Sequence, residues 1–280
     1  MVDDDLAQAA RLSLEAFARP SAHGGSPEPT NSAESERVRR RLAHFLRSDP
    51  AGSWVATERG RVVGLSQAFV REDLWILSLL AVSPDAQGRG LGAALLRAAL
   101  EYGDPSGPGL IQASPDPGAV ALYSAAGFDL HPAVEGRGTP RHPIAPSEGV
   151  RTGDDEDLGL AADIDRAIRH AERTIDLCAL LAEPGCQLLV DGERGYAAVK
   201  PGRLVIVAAL DERSAGRLLR AAIARVPPGE CFEVGWITAR QQWAIKELVA
   251  AGVALAPKGP LMVRGLAGPP APYIPSGGYG

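Results

Sequence analysis

Gly88-Arg89-Gly90-Leu91-Gly92 stands between a strand-like apolar run ending at Val82 and a helical run from Ala93 to Leu100. A helix that opens on glycines presents its first backbone N–H groups bare, and these, with the positive end of the helix dipole, bind anions. Glycine suits the position because a Cβ would hold phosphate oxygens off the backbone and because such turns need unusual dihedrals. The guest this chemistry favours is a pyrophosphate. The letters Gly88-x-Gly90-x-x-Ala93 also satisfy the dinucleotide fingerprint. Dinucleotide folds, however, run their strand almost directly into the first glycine, whereas residues 83–87 intervene here, and no strand-end acidic residue stands convincingly at the ribose distance. A glycine-rich turn that binds nothing is the third reading.

The elements that must position this loop read as follows. Asp3 to Ala18 has helical apolar spacing at Leu6, Ala10, Leu14 and Phe17, and the 17 residues RPSAHGGSPEPTNSAES then read as a long flexible loop. Glu36 to Arg47 reads as a second helix, broken by Asp49-Pro50-Ala51-Gly52. Strands are expected at 53–57, 62–70 and 74–82, the first two joined by the hairpin turn Glu58-Arg59-Gly60-Arg61. Helix, strand and helix alternate through 91–100, 110–113 and 118–126, which implies a mixed α/β domain. Residues 131–150 lack periodicity and suit a terminal strand pair or an inter-domain connection, with a boundary near Ile144. Order then returns in helices near 154–170 and 172–181 and strands at 186–191, 196–200 and 204–209.

The second half repeats the first. Leu95-Leu96-Arg97-Ala98-Ala99-Leu100 recurs as Leu218-Leu219-Arg220-Ala221-Ala222-Ile223, and the segment 119–130 lines up with 244–255, at offsets of 123 and 125. Near-constant offsets indicate duplicated architecture. The fold expected is therefore α/β, an α+β mixed sheet, in two tandem domains, 1–143 and 144–280. A length of 280 residues suits two domains.

No apolar run approaches the roughly 18 residues that span a bilayer, and Met1-Val2-Asp3-Asp4-Asp5 is acidic where a secretory signal is basic. A cytoplasmic chain with no membrane partner is expected. The net charge of −5 gives no attraction to phosphate backbones, and no basic cluster interleaves with aromatics, which argues against nucleic acid. Cys178, Cys186 and Cys231 lack C-x-x-C spacing, so no metal site is expected and they read as reduced core thiols. Oligomeric state is left open, a homodimer included.

Beyond Gly88, Gly90 and Gly92, the segment Leu80-Ala81-Val82-Ser83-Pro84, Gln87 and the later ALYSAAGF at 121–128 resemble the GCN5-related N-acetyltransferase (GNAT) superfamily, whose cofactor motif is Gln/Arg-x-x-Gly-x-Gly/Ala. The resemblance covers about residues 3–140 well and the second half only as a degenerate copy. It implies an acetyl-CoA-dependent transfer of an acyl group to an amine of a small molecule or peptide. It also implies that the backbone at Leu80, Ala81 and Val82 pairs with pantetheine and that Gln87, Gly88, Arg89, Gly90, Leu91, Gly92 and Ala93 hold the pyrophosphate. Asp116 stands where the family usually has an asparagine, either near the cofactor or merely capping the next helix.

The same resemblance makes Tyr123 the expected acid for the departing thiol, the alternative being a core tyrosine beside Leu122 and Phe128. Where ribosomal-protein acetyltransferases of the superfamily carry a glutamate base, this chain has Ile111. Glu72 and Asp73 are candidates, although surface solvation explains both. Gly280 is a further one, since some similar tandem enzymes bring a C-terminal carboxylate into the cleft, and GPPAPYIPSGGYG is unusually apolar for a tail; a disordered tail is the alternative. Glu28 and Glu34 would suit a cationic acceptor. In the second half only residues 210–217 separate strand from helix, two of them carboxylates, and Leu248 replaces Tyr123, so one cofactor per chain is expected. A non-catalytic acyl-CoA sensor or partner-binding module is the rival function.

Overall fold

Apolar runs bounded by turn residues set the strands. In the computed structural model, which describes residues 1–17, 32–142, 144 and 147–280, they pack into two units. One comprises Met1–Val70 and Trp75–Gly107, the other Arg71–Leu74 and Pro108–Gly280.

In the first unit, helices α1 (Leu6–Phe17) and α2 (Ser32–Ser48) pack on strands β1 (Ser53–Glu58), β2 (Arg61–Arg71) and β3 (Leu74–Val82), which lie in that order. Leu6, Ala10, Leu42 and Leu46 bury their apolar stripe against Leu65 and Leu79. The β1–β2 turn is tighter than its four-letter reading. Arg59 and Gly60 alone form it, with φ of 50° and 77°, the positive pair that matches strand twist. Helix α2 starts at Ser32, so the last four residues of the expected loop are helical; Glu34 lies in its first turn, where the helix dipole favours an acid, and pairs with Arg37 at 3.5 Å. Glu28 and the rest of that loop, 19–31, lie outside the described residues, as does Ala18, expected to end the first helix. Helix α3 (Leu91–Leu100) is fixed by Trp75, whose Nε1 donates to the Ala99 carbonyl at 2.9 Å, and by Ser66, whose Oγ donates to the Leu95 carbonyl at 3.0 Å.

The second unit contains β4 (Gly109–Gln112), α4 (Pro117–Ala125), β5 (Asp129–Gly138), β6 (Val150–Thr152), α5 (Leu158–Arg169), α6 (Thr174–Leu181), β7 (Gln187–Asp191), β8 (Gly195–Lys200), β9 (Arg203–Ala209), α7 (Glu212–Ile223), β10 (Phe232–Thr238), α8 (Gln242–Ala250), β11 (Leu255–Arg264) and β12 (Tyr273–Ile274). Its sheet runs β4-β11-β5-β10-β9-β8-β7-β6, with β12 added to β9. Helices α7 and α8 cover one core of Leu218, Leu219, Trp243 and Leu248 against Leu204, Val207 and Phe232.

The duplication is visible element by element: β3, α3, β4, α4 and β5 recur in order as β9, α7, β10, α8 and β11. Helices α4 and α8 even end on the same cap. Gly127 at φ 85° lets Phe128 N–H reach the Tyr123 carbonyl at 3.2 Å, and Gly252 at φ 70° lets Val253 N–H reach the Leu248 carbonyl at 2.9 Å. The last strands are exchanged between repeats. β11 pairs antiparallel with β4 and with β5, and β5 pairs antiparallel with β10. The two packing units divide before β4, and the side chain of Ile144 joins the second core.

Two of the cysteines are not core residues. Cys178 and Cys231 are exposed, and only Cys186 is half-buried, where burial pushes its thiol up to about 11 and keeps it protonated.

The β11–β4 seam sets a sharp test. A Cβ on Gly259 would lie 2.0 Å from the Ala113 carbonyl oxygen, so Gly259→Ala should lose about 1–3 kcal/mol of stability in urea unfolding. Gly159→Ala, in open space on α5, should be neutral or gain up to about 1 kcal/mol.

Candidate cofactor loop and its degenerate counterpart

After β3, a 3-10 turn at Pro84–Ala86 leads into the glycine loop, and Gln87 Nε2 donates back to the Val82 carbonyl at 3.2 Å, tying the loop to the strand end. Gly88 and Gly90 have φ of 73° and 80°, and a Cβ at either would meet nothing within 4 Å. Glycine is required there by dihedral, and the space in front is open. Gly90 caps α3 without a side-chain hydrogen bond, and the first helical bond is Ala94 N–H to the Gly90 carbonyl at 3.1 Å. The amides of Leu91, Gly92 and Ala93 precede that bond and find no intrahelical acceptor. Residues 87–90 are exposed. Arg89 donates to Glu58 Oε1 at 2.9 Å and Oε2 at 3.3 Å, a pair that sequence spacing did not signal. Of the three strand positions expected along pantetheine, Ala81 is buried in the first core while Leu80 and Val82 are half-buried. An exposed, uncapped helix start with no Cβ in the way fits a pyrophosphate.

In the second repeat both corresponding positions are occupied by the chain itself. Only Leu210 and Asp211 separate β9 from α7, where 83–90 separate β3 from α3. Asp211 Oδ1 accepts from Ser214 N–H at 2.8 Å and its Oδ2 from Arg194 Nε at 2.5 Å, and the Ser214 amide first, then Arg194, hold its carboxyl below the usual range against the effect of burial. A fixed carboxylate thus occupies the anion position of α7. Residues 207–209 end β9 as 80–82 end β3. There Tyr273 pairs with Ala208 and Ile274 with Val207, and Ala209 N–H donates to the Pro272 carbonyl at 3.2 Å. The chain's own tail lies along the edge that corresponds to the expected pantetheine edge. β9 and β10 leave room for it because they pair in parallel at a single bridge, Glu233 with Arg203.

Asp116 caps α4, accepting from Ala119 N–H at 2.8 Å. Tyr123, on α4, is buried, and among the described residues its hydroxyl has no hydrogen-bond partner. Burial first and the Asp116 carboxylate second push its pKa far above the ordinary value, so the phenol stays protonated. Ile111 is buried in β4. Glu72 is exposed as expected and accepts from Arg166 Nε at 2.7 Å and from Glu172 N–H at 3.3 Å, and the Arg166 hydrogen bond lowers its pKa, which makes it a weak base. Asp73 is exposed.

The tail is not disordered. Tyr273, Ile274, Ser276 and Tyr279 are buried, and Tyr279 Oη donates to Glu183 at 2.9 Å. The backbone oxygen of Gly280 accepts from Arg173 Nη1 at 2.5 Å, and no hydrogen bond joins it to Tyr123. Among the described residues no group of acidic, His or Cys side chains could hold a metal, and no helix is long and apolar enough to cross a membrane.

Residues 19–128 match the family described as Acetyltransferase (GNAT). Solved structures show the fold over the whole length. A Pyrococcus horikoshii protein provisionally assigned as an acetyltransferase superposes with a TM-score of 0.78 at 20% identity, over 100% of this chain and 94% of that one. A tandem GNAT protein from the clavulanic acid biosynthesis pathway, solved without AcCoA, gives 0.58 at 17% identity over 93% and 94%. A GCN5-related N-acetyltransferase from Sphaerobacter thermophilus gives 0.57 at 15% over 94% and 93%. Among curated proteins, none matches in sequence. Asp211→Ala should remove the α7 cap and lower stability by about 1 kcal/mol, read as a fall in the thermal midpoint.

Proposed function

We propose that this chain, which belongs through residues 19–128 to the acetyltransferase (GNAT) family and has its fold in tandem, transfers an acyl group from acetyl-CoA to an amine. The observation that carries this reading is the contrast between two equivalent helix starts: α3 is open and uncapped, α7 is filled by Asp211. The repeat at 1–143 is accordingly the active one and that at 144–280 the degenerate one, with one cofactor per chain.

Backbone amides from Gly88 to Ala93 would receive the pyrophosphate, with Gln87 holding the loop on Val82. The backbone of Leu80 to Val82 would orient the pantetheine arm. Bound there, acetyl-CoA supplies an activated acyl carbon and a thiolate leaving group. Tyr123, kept protonated, acts as a hydrogen-bond donor to that sulfur, and full proton transfer from so weak an acid is the smaller part of its role. The acceptor amine gives its proton to water, since Ile111 offers no carboxylate and Glu72 is tied to Arg166.

The missing base also favours a second reading, an acyl-CoA sensor without turnover. A thiol-release assay across a broad amine panel separates the two: background release with tight acetyl-CoA binding identifies the sensor. Gly90→Val should weaken coenzyme A binding roughly tenfold by calorimetry while the thermal midpoint stays near that of the parent. Unchanged affinity would move the cofactor elsewhere. Tyr123→Phe should lower kcat about 100-fold with coenzyme A affinity kept, whereas equal loss of both would make Tyr123 a packing residue.

A further inference from the structure

Beneath the tail, in the second unit, lies a charged cluster that the transfer chemistry does not use. Asp165, Arg169, Arg173, Tyr196 and Tyr273 are each at most 1% exposed. Arg173 grips Asp165 with two bonds, Nε to Oδ2 at 2.8 Å and Nη2 to Oδ1 at 2.9 Å, and Tyr196 Oη donates to the same carboxylate at 2.8 Å. The guanidinium of Arg173 also stacks 5.0 Å from the Tyr273 ring centroid. Asp165 is thereby fully engaged by Arg173 and Tyr196.

Arg169 is left over. Its Nε, Nη1 and Nη2 are buried with no hydrogen-bond partner, and the Tyr273 hydroxyl is a second buried group without one. The cluster holds two guanidinium cations against one carboxylate, an excess of one positive charge in an enclosed space. A buried charge with neither counter-ion nor hydrogen bonds is among the least favourable arrangements a protein can contain. Two orphaned groups and one missing negative charge in one place describe a ligand. The single charge selects a monoanion, and the planar fork of a guanidinium selects a carboxylate over a spherical ion.

We propose that Arg169 and Arg173 form a buried receptor for one carboxylate, closed over by the tail at Tyr273 to Gly280. Arg173 Nη1 already bonds the Gly280 backbone oxygen at 2.5 Å, which brings the main chain of the tail to the receptor. The carboxylate comes either from the main chain, in a protein ending at Gly280, or from a small organic acid. Its binding locks β12 onto β9 and so keeps the edge of β9 filled.

The thermal midpoint of the purified chain, measured in carboxylate-free buffer, separates these sources. Four samples are compared: the form ending at Gly280 and the same form with its terminal carboxylate amidated, each without and with 20 mM acetate. A main-chain source predicts that amidation lowers the midpoint by about 3 °C or more, a shift expected for loss of one buried ion contact in a protein of this size. A small-acid source predicts instead that both forms gain a similar amount from acetate and not from equimolar fluoride. In either case Arg169→Met should abolish the difference. If Arg169→Met does not fold, the parent forms alone still decide. A midpoint that moves by less than about 1 °C with amidation and with acetate overturns the proposal, as does an Arg169→Met protein that keeps the full response.

Discussion

Two parallel strands that part company leave a row of backbone N–H and C=O groups facing a gap, and in a buried sheet those groups must find partners or destabilise it. β9 and β10 share one bridge and then part, and the second repeat answers the demand from its own chain by laying β12 on β9 at Val207 and Ala208. Filling the gap and capping α7 with Asp211 are two halves of one change. An edge already hydrogen-bonded by Pro272 to Ile274 has nothing to offer an extended ligand, and a helix start already facing a carboxylate repels phosphate.

Strand exchange explains why the duplication is clear in sequence order but not in packing. Each repeat ends in a strand that crosses to the other, so β5 rests on β10 and β11 fits between β4 and β5. Gly259 allows the Ala113 carbonyl to come close, and bulges at Val234/Ile237 and Lys258/Leu261 adjust the register on either side of β5. Neither repeat completes its sheet alone.

Most elements were legible from residue spacing because local rules decide them: apolar periods for α1 and α3, turn formers for the hairpins, and glycines where φ must be positive at 88, 90, 127 and 252. The glycine loop at 88–92 was legible as a turn opening a helix for the same reason. The tail was not. Its apolar residues left docking and disorder both open, because its partners lie about 65 residues earlier on β9 and, for Arg173, 107 residues earlier, and such pairings leave no local pattern. The exposure of Cys178 and Cys231 was hidden likewise, since composition ranks cysteine as a buried type while position decides. Asp211 could have been found, because an aspartate between a strand and an alanine-rich helix is a recognisable cap.

The proton inventory narrows what the repeat proposed as active can do. A phenol buried on α4 beside a capping carboxylate cannot serve as a base near neutrality, because both influences favour its protonated form. Glu72 is held ionised by Arg166, and a carboxylate stabilised in its charged form has little drive to accept a proton. Ile111, expected where ribosomal-protein acetyltransferases carry their glutamate, is apolar and buried. On the proposed reading, an acceptor whose amine is already partly neutral at working pH suits this chain better than a strongly basic lysine-like amine. With a pKa near 10.4, the latter would present its free base about 1 time in 1,000 near pH 7.4. On that reading the chemistry left to the protein is placement of two reactants and donation to the leaving sulfur.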